Sequence, residues 1–245
     1  MSRSNFITKI TNTLSLVLIL VISFKCGLFA FPKTDAGAAD QTVANASAKA
    51  TVIIDAGHGG EDVGAIGSDG VYEKDLNMQV TQKLGDYLSA AGYNVIYTRT
   101  EDRLLYTEEQ NVKGMRKIYD LKNRIAIANA YSDAIFISIH MNYYGSPSCT
   151  GLQVYHSASA ESKALALSVQ STVKNTLQPG NKRTVKDGAG IYVLENCIHP
   201  AVLIECGFIS NPEECKKLSE KEYQKELCFS ILCGIIEYEK NQLKD

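Results

Sequence analysis

Short apolar runs separated by turn residues recur along the chain from residue 51 onward, and they predict β-strands. Three continuous runs have the length of buried strands: residues 52–54, 134–137 and 201–204. Residues 93–97 form another run, and residues 151–155 alternate apolar with polar or small side chains, as a half-buried strand does. Residues 191–194 are a further short strand candidate.

Between these runs, apolar residues spaced three and four positions apart predict four helices. The first places Leu76, Val80, Leu84 and Leu88 on one face and ends at Gly92, a typical C-terminal cap. The other three have their apolar faces within residues 121–128, 165–177 and 223–235. Strands that alternate with helices indicate a single α/β domain whose sheet is covered on both faces.

The first 31 residues predict an export segment rather than part of the domain. Arg3 and Lys9 precede an apolar run over residues 14–31, which Lys25 interrupts. The continuous part is shorter than the ~20 residues of a spanning helix, which favours a signal peptide over a retained membrane anchor. We expect this segment to engage the membrane during export, residues 32–50 to be a linker, and residues 51–240 to be the catalytic domain.

Composition excludes some classes of function. The 245-residue chain has a formal net charge of -2, and near-neutrality argues against nucleic acid as a partner. The predicted domain has no CxxC pair, so we expect its cysteines to be buried free thiols rather than disulfides or a zinc–cysteine cluster. These cysteines are Cys149, Cys197, Cys206, Cys215, Cys228 and Cys233. A charged stretch over residues 100–118 is either functional or a solvated loop.

The chemistry of the chain is suggested by residues at predicted strand ends. His58, His140 and Glu205 each end or follow an apolar run, although long stretches of sequence separate them. In open α/β sheets, ligands bind outside the carboxyl ends of the strands, so these three side chains can converge. Glu73, in the first turn of a predicted helix, can lean over the same edge, and the helix dipole favours its charge there.

Two imidazoles and a carboxylate are the ligand types of a catalytic zinc site, which keeps one position open. Zinc lowers the pKa of water from 15.7 to about 7 and polarises a carbonyl. A nearby carboxylate such as Glu205 can take a proton from the water and return it to a leaving amine. The four residues together predict hydrolysis of an amide.

Taken singly, each residue has a simpler interpretation. The glycine-rich segment around His58 could be a plain turn or a phosphate cradle, although it lacks the signature of a P-loop. His140 could be a core histidine, and Glu73 a favourable acid at a helix start. Glu205 is harder to dismiss, because a carboxylate that ends an apolar strand is costly unless it is paired.

Other residues compete for these roles. Asp55 and Asp62 lie in the same loop as His58 and are rival metal ligands. Asp55 could instead orient His58 by a hydrogen bond to its ring without contacting the metal. His156 also ends a predicted strand, and we expect it at the surface or rim. His199 precedes Pro200 in a loop, where we expect a structural role.

Five segments together resemble the zinc-dependent N-acetylmuramoyl-L-alanine amidases, a family of cell-wall hydrolases. In family order, the matching segments are residues 54–60, 72–77, 97–102, 138–142 and 203–212. The resemblance spans about residues 51–239. Ala56 stands where the family often has Pro, and Cys206 where it often has a small or apolar residue, but neither removes a functional group.

The resemblance implies a mixed, mostly parallel sheet of about six strands with helices on both faces. It implies that His58, Glu73 and His140 hold Zn²⁺, and that Glu205 is the catalytic carboxylate. The substrate would be peptidoglycan, cleaved between the lactyl group of N-acetylmuramic acid and the L-alanine of the stem peptide. A zinc peptidase acting within the stem, or a non-catalytic peptidoglycan-binding module, are the alternatives.

A narrower similarity is to the germination-specific amidases of endospore formers. It rests on the insertion at residues 103–120, on residues 120–124 that follow it, and on residues 190–194. This resemblance implies action on spore cortex peptidoglycan, in an extracytoplasmic location such as the space between the spore membranes. No self-blocking helix is evident between His58 and Glu205, so we expect control to come from expression timing or from a regulatory protein partner.

Overall fold

A computed structural model describes residues 49–243 of the chain. The signal or anchor prediction for residues 1–31, and the linker prediction up to residue 48, lie outside the described residues. The first strand begins at Lys49, so the predicted linker ends earlier than residue 50. None of the helices in the described range is long and apolar enough to cross a membrane.

The described residues form one six-stranded sheet in the order β2-β1-β3-β6-β4-β5. The strands are β1 Lys49–Ala56, β2 Tyr93–Tyr97, β3 Ala134–Asn142, β4 Gln153–His156, β5 Lys186–Asp187 and β6 Ala201–Phe208. The first four in spatial order are parallel, β4 runs antiparallel to β6, and β5 is parallel to β4. The expected mixed, mostly parallel sheet of about six strands is confirmed.

Helices cover both faces of this sheet, as expected. Their bounds are α1 Glu73–Ala90, α2 Arg116–Asn129, α3 Ala160–Thr176, α4 Tyr192–Asn196, α5 Pro212–Ser219 and α6 Lys221–Gln242. Helices α1, α3, α5 and α6 bury apolar side chains against one face, in the larger core. Helices α2 and α4 pack on the other face around Phe136 and Leu203.

Three of these elements differ from the sequence prediction, and one of them is the two-residue strand β5, which lies outside every predicted run. Residues 191–194 were expected to be a strand, but Tyr192–Asn196 is a helix that buries the adjacent residues Val193 and Leu194. Periodicity alone cannot distinguish a short apolar run in a buried strand from one in a buried helix. Helix α5 was not predicted, although Asn211 caps it and Pro212 begins it, a recognised start signal.

The topology brings distant positions to one edge of the sheet. Strands β1, β3 and β6 are parallel neighbours, so their carboxyl ends lie side by side. Within this register Ala56 is paired with Ile139, and His140 with Glu205. His140 and Glu205 therefore lie on adjacent strands, and His58 comes two residues after the end of β1, the parallel neighbour of β3.

Candidate metal centre

His58, Glu73 and His140 form a compact cluster at this edge of the sheet. One ligand atom from each lies within 4.8 Å of the other two. The two imidazole rings meet edge to face, with centroids 5.0 Å apart. The donor set of two nitrogens and one oxygen matches that of a catalytic zinc site, so these residues can hold a divalent metal ion.

Glu73 is the central member of the cluster. It is the first residue of α1 and is buried. Its Oε1 lies 2.9 Å from His140 Nδ1 and 3.2 Å from His58 Nε2, while its Oε2 accepts a hydrogen bond from the Ala65 N–H. Burial opposes ionisation, but the bonds with His140 and His58 hold the pKa of Glu73 well below its usual range. The carboxylate therefore stays charged.

His58 faces a carboxylate on each side of its ring. Its Nδ1 lies 2.9 Å from Asp62 Oδ2, and its Nε2 faces Glu73. Burial alone would lower the pKa of His58, but the bonds with Asp62 and Glu73 raise it to about 9. The carboxylates of Asp62 and Glu73 make the surroundings of His58 negative, and such surroundings favour a bound cation. Asp62 also accepts from Lys117 Nζ at 2.9 Å.

Two buried arginines hold the backbone that carries His58. Arg124 donates to the carbonyl oxygens of Ala56 and His58, each at 2.6 Å. Arg99 donates to the carbonyls of Ala56 at 2.8 Å and Gly57 at 3.0 Å. His58 has a φ of 62°, in the left-handed region that a residue with a side chain adopts only under constraint. The guanidinium groups supply that constraint.

Asp55 compensates the buried charge of Arg124. Its Oδ1 lies 2.7 Å from Arg124 Nη1 and accepts from Thr98, and its Oδ2 accepts from Ser138. Burial opposes its ionisation, but Arg124 and the hydroxyl bonds lower the pKa of Asp55 to about 2. Asp55 was expected to be a rival ligand or to orient His58. Instead it supports Arg124, and Asp62 is the acid that contacts the imidazole.

Two glycines leave room for the side chains of this cluster. A Cβ at Gly57 would overlap the ring of His140. A Cβ at Gly64, where φ is 69°, would lie 2.5 Å from Glu73 Oε2 and 2.8 Å from His58 Cδ2. Any larger residue at either position would displace a member of the cluster.

Glu205 is next to the cluster but outside it. It is paired with His140 across β3 and β6, and its buried Oε2 has no hydrogen-bond partner among the described residues. Burial raises the pKa of Glu205 to about 7; the charge of His140 lowers it, whereas that of Glu73 raises it. A carboxyl group of this kind can both accept and return a proton near neutral pH.

The remaining histidines lie away from the cluster. His156 ends the antiparallel strand β4, which takes it to the opposite edge of the sheet. It is buried, with Nδ1 2.8 Å from the Ser157 carbonyl, so the expectation of a surface or rim position was wrong. His199 Nε2 lies 3.2 Å from the Ala128 carbonyl, a structural contact. The six domain cysteines are free, as expected, but only Cys206, Cys215 and Cys228 are buried, and the other three are partly exposed.

The charged stretch over residues 100–118 packs against the His58 loop. Asp102 accepts from the Gly60 N–H at 2.7 Å and from Lys74 Nζ at 2.6 Å. Arg116 pairs with Glu61 at 2.8 Å. A cavity of about 180 Å³ lies beside His58 and His140, with α2 and α4 on its far side. The stretch therefore helps to shape the site.

The chain is similar to proteins of known family. A family model described as N-acetylmuramoyl-L-alanine amidase matches residues 52–237. The germination-specific N-acetylmuramoyl-L-alanine amidase of Bacillus subtilis (strain 168) is 36% identical over 188 residues, covering 76% of this chain and 78% of that protein.

Two solved structures are also similar. The CwlD amidase from Clostridioides difficile, solved in complex with the GerS lipoprotein, has a TM-score of 0.75 and 38% identity, covering 78% of this chain and 98% of that chain. The N-acetylmuramoyl-L-alanine amidase from Clostridium difficile 630 has a TM-score of 0.68 and 34% identity, covering 79% and 98%.

Replacing Arg124 with Ala should lower the free energy of unfolding by about 3–5 kcal/mol, because Asp55 would remain as an uncompensated buried charge. Arg116→Ala, in the same helix but at a partly exposed ion pair, should cost less than about 1 kcal/mol. Urea denaturation of both variants measures the difference. Equal losses would mean that the buried network contributes no more than a surface pair.

The lowered pKa of Asp55 predicts that the free energy of unfolding decreases at acid pH. Its pKa falls from the usual 3.8 to about 2 in the folded state, so its stabilisation is present above pH 4 and is lost as the pH falls towards 2. Relative to Asp55→Asn, the wild type should lose about 2 kcal/mol more unfolding free energy over that range. Between pH 5 and 7 the two slopes should coincide. Parallel slopes down to pH 2 would contradict the assignment.

Proposed function

Because this chain belongs to the N-acetylmuramoyl-L-alanine amidase family, we propose that it hydrolyses peptidoglycan in a zinc-dependent reaction, between N-acetylmuramic acid and the L-alanine of the stem peptide. As a member of this family it is a cell-wall amidase. The observation that carries the zinc proposal is the His58–Glu73–His140 cluster beside the unpartnered carboxyl group of Glu205.

His58, Glu73 and His140 would hold the Zn²⁺ ion. Two imidazole nitrogens and one carboxylate oxygen fit its preference, and the negative charge around His58 favours a cation. When bound, zinc supplies a Lewis acid that polarises the scissile carbonyl and lowers the pKa of water. Asp62 keeps the His58 ring in position, because its bond to Nδ1 leaves Nε2 directed at Glu73.

Glu205 would act as the general base and then as the general acid. Its carboxyl group takes a proton from the attacking water and delivers it to the leaving nitrogen of L-alanine. A pKa of about 7 suits both directions of transfer, and the buried, unpartnered Oε2 is free to make the contact. Asn77 Nδ2 donates to Glu73 Oε1 at 3.3 Å, which helps to hold the ligand carboxylate in position.

We further propose that the enzyme works outside the cytoplasm on spore cortex peptidoglycan, with residues 1–31 directing export and residues 51–240 forming the catalytic domain. The similarity to a germination-specific amidase supports the cortex as substrate. The structural similarity to an amidase solved with a lipoprotein supports a regulatory protein partner. The family match favours an amidase over a stem-cleaving peptidase or a binding module.

Replacing His140 with Ala should weaken zinc binding by more than about 100-fold, since losing even an outer-shell partner costs about 10–100-fold. His199→Ala removes a histidine whose contact is structural, and it should bind zinc as the wild type does. Titration with a zinc-chelating indicator measures both affinities. Unchanged zinc affinity in the His140 variant would remove this residue from the ligand set.

Glu205→Gln should retain zinc but lose about 10²–10⁴-fold in turnover, because the amide cannot carry the proton. Glu213→Gln, at an exposed position in α5, serves as the matched control and should keep full activity. Mass spectrometry of digested cortex fragments gives both rate and product. Products cut within the stem would identify a peptidase. Full activity in the Glu205→Gln variant would show that Glu205 is not the general base.

A further inference from the structure

A second cavity lies beside Glu205, along the neighbouring strand β4. It has a volume of about 210 Å³, and its lining includes Gln153, Tyr155, Arg183, Lys186 and Phe208. The mechanism above uses none of these residues. Two of them are cations, and no acidic residue lines the cavity.

The cavity opens on the same face of the sheet as the catalytic carboxyl group. Gln153 is directly opposite Glu205 in the antiparallel pair of β4 and β6, and Tyr155 is opposite Leu203. Directly opposite residues share a face, with Cβ atoms about 5 Å apart. The cavity therefore begins roughly one strand spacing from Glu205.

Arg183 is held in place by stacking on an aromatic ring and by two hydrogen bonds. Its guanidinium carbon lies 4.1 Å from the centroid of the Phe208 ring. Its Nε donates to the Thr150 carbonyl at 2.8 Å, and Nη1 lies 3.3 Å from Gln153 Oε1. Within residues 49–243, Arg183 forms no ion pair and its Nη2 has no hydrogen bond. The side chain is thus oriented, with donor capacity left over.

The second cation has a similar arrangement. Lys186 Nζ lies 5.7 Å from the centroid of the Tyr155 ring, and this exposed side chain also has no ion-pair partner in the described range.

Glu214, the acid to be considered as a partner for Arg183, is buried, and its carboxylate accepts from the N–H groups of Gly151 and Phe208. Burial raises the pKa of Glu214 and the nearby charge of Arg183 lowers it, but the two side chains form no ion pair within residues 49–243.

These groups suit a carboxylate ligand. A guanidinium with spare N–H donors can bind a carboxylate through two hydrogen bonds, and stacking on an aromatic ring holds it flat for that contact. The glycan is largely uncharged where it meets the stem, whereas the stem peptide carries free carboxylates. One residue spans at most about 3.6 Å, so the residue after L-alanine falls within reach of a cavity one strand away.

Building on the proposed function, we propose that Arg183, assisted by Lys186, binds the free α-carboxylate of the second stem residue and so places the L-alanine amide against Glu205. The cavity is a specificity site for the acidic form of the stem. A stem in which that carboxylate is an amide loses the charge-assisted contact and binds less tightly.

Binding can be measured separately from turnover in the full-length, zinc-loaded Glu205→Gln chain. The probes are N-acetylmuramoyl-L-alanyl-D-glutamate and the same compound with its α-carboxylate as an amide, compared by isothermal titration calorimetry. We expect the acid to bind about tenfold more tightly, a usual size for a hydrogen bond to a charged group. Adding Arg183→Gln should abolish that preference while leaving affinity for the amide within about twofold.

Lys182→Gln is the matched control, because it removes an exposed cation from the same loop but not from the cavity. It should keep the preference for the acid. Lys186→Gln, at an exposed position, should reduce the preference in part. This variant keeps the test valid even if Arg183→Gln does not fold. Equal affinity for the two probes, an equal effect of Arg183→Gln on both, or no binding of either overturns the proposal. Product release by the wild type separately tests the amidase assignment.

Discussion

The site depends on how three successive carbonyl groups are held at the end of β1. Two buried guanidinium groups, from Arg99 and Arg124, bind the carbonyls of residues 56–58. They keep His58 in a left-handed conformation that the chain alone would disfavour. The charge of Arg124 is tolerable in the interior because Asp55 and Asp120 both lie against it. The geometry of the His58–Glu73–His140 cluster thus depends on this buried ion-pair network.

Topology and electrostatics then act together at one sheet edge. Parallel strands bring His140 and Glu205 side by side, and the first residue of α1 places Glu73 between the two imidazoles. Burial raises the pKa of both glutamates, but their partners differ. Glu73 is held ionised by its histidine partners, whereas Glu205, without a hydrogen-bond partner for Oε2, has its pKa raised. One acid is suited to hold a cation and the other to move a proton.

Much of this could be predicted from sequence, because period and strand-end position are local signals. The convergence of His58, His140 and Glu205 followed from the parallel-sheet rule. The roles of Asp55 and Asp62 could not be separated, since both lie within four residues of His58 and only the turn decides which one faces its ring. Arg124 looked like any polar residue on an amphipathic helix, because burial of a charge depends on a partner 69 positions away.

The two glycines of the cluster have a meaning beyond this molecule. At Gly57 and Gly64 the space that a side chain would fill is already taken by His140, Glu73 and His58. Substitution there cannot be graded by size or polarity, as it can at most surface positions. These two positions therefore act as a readable marker. A related sequence can retain His58, Glu73 and His140 but carry a larger residue at position 57 or 64. We expect such a protein to keep the fold and to lose the geometry of the cluster.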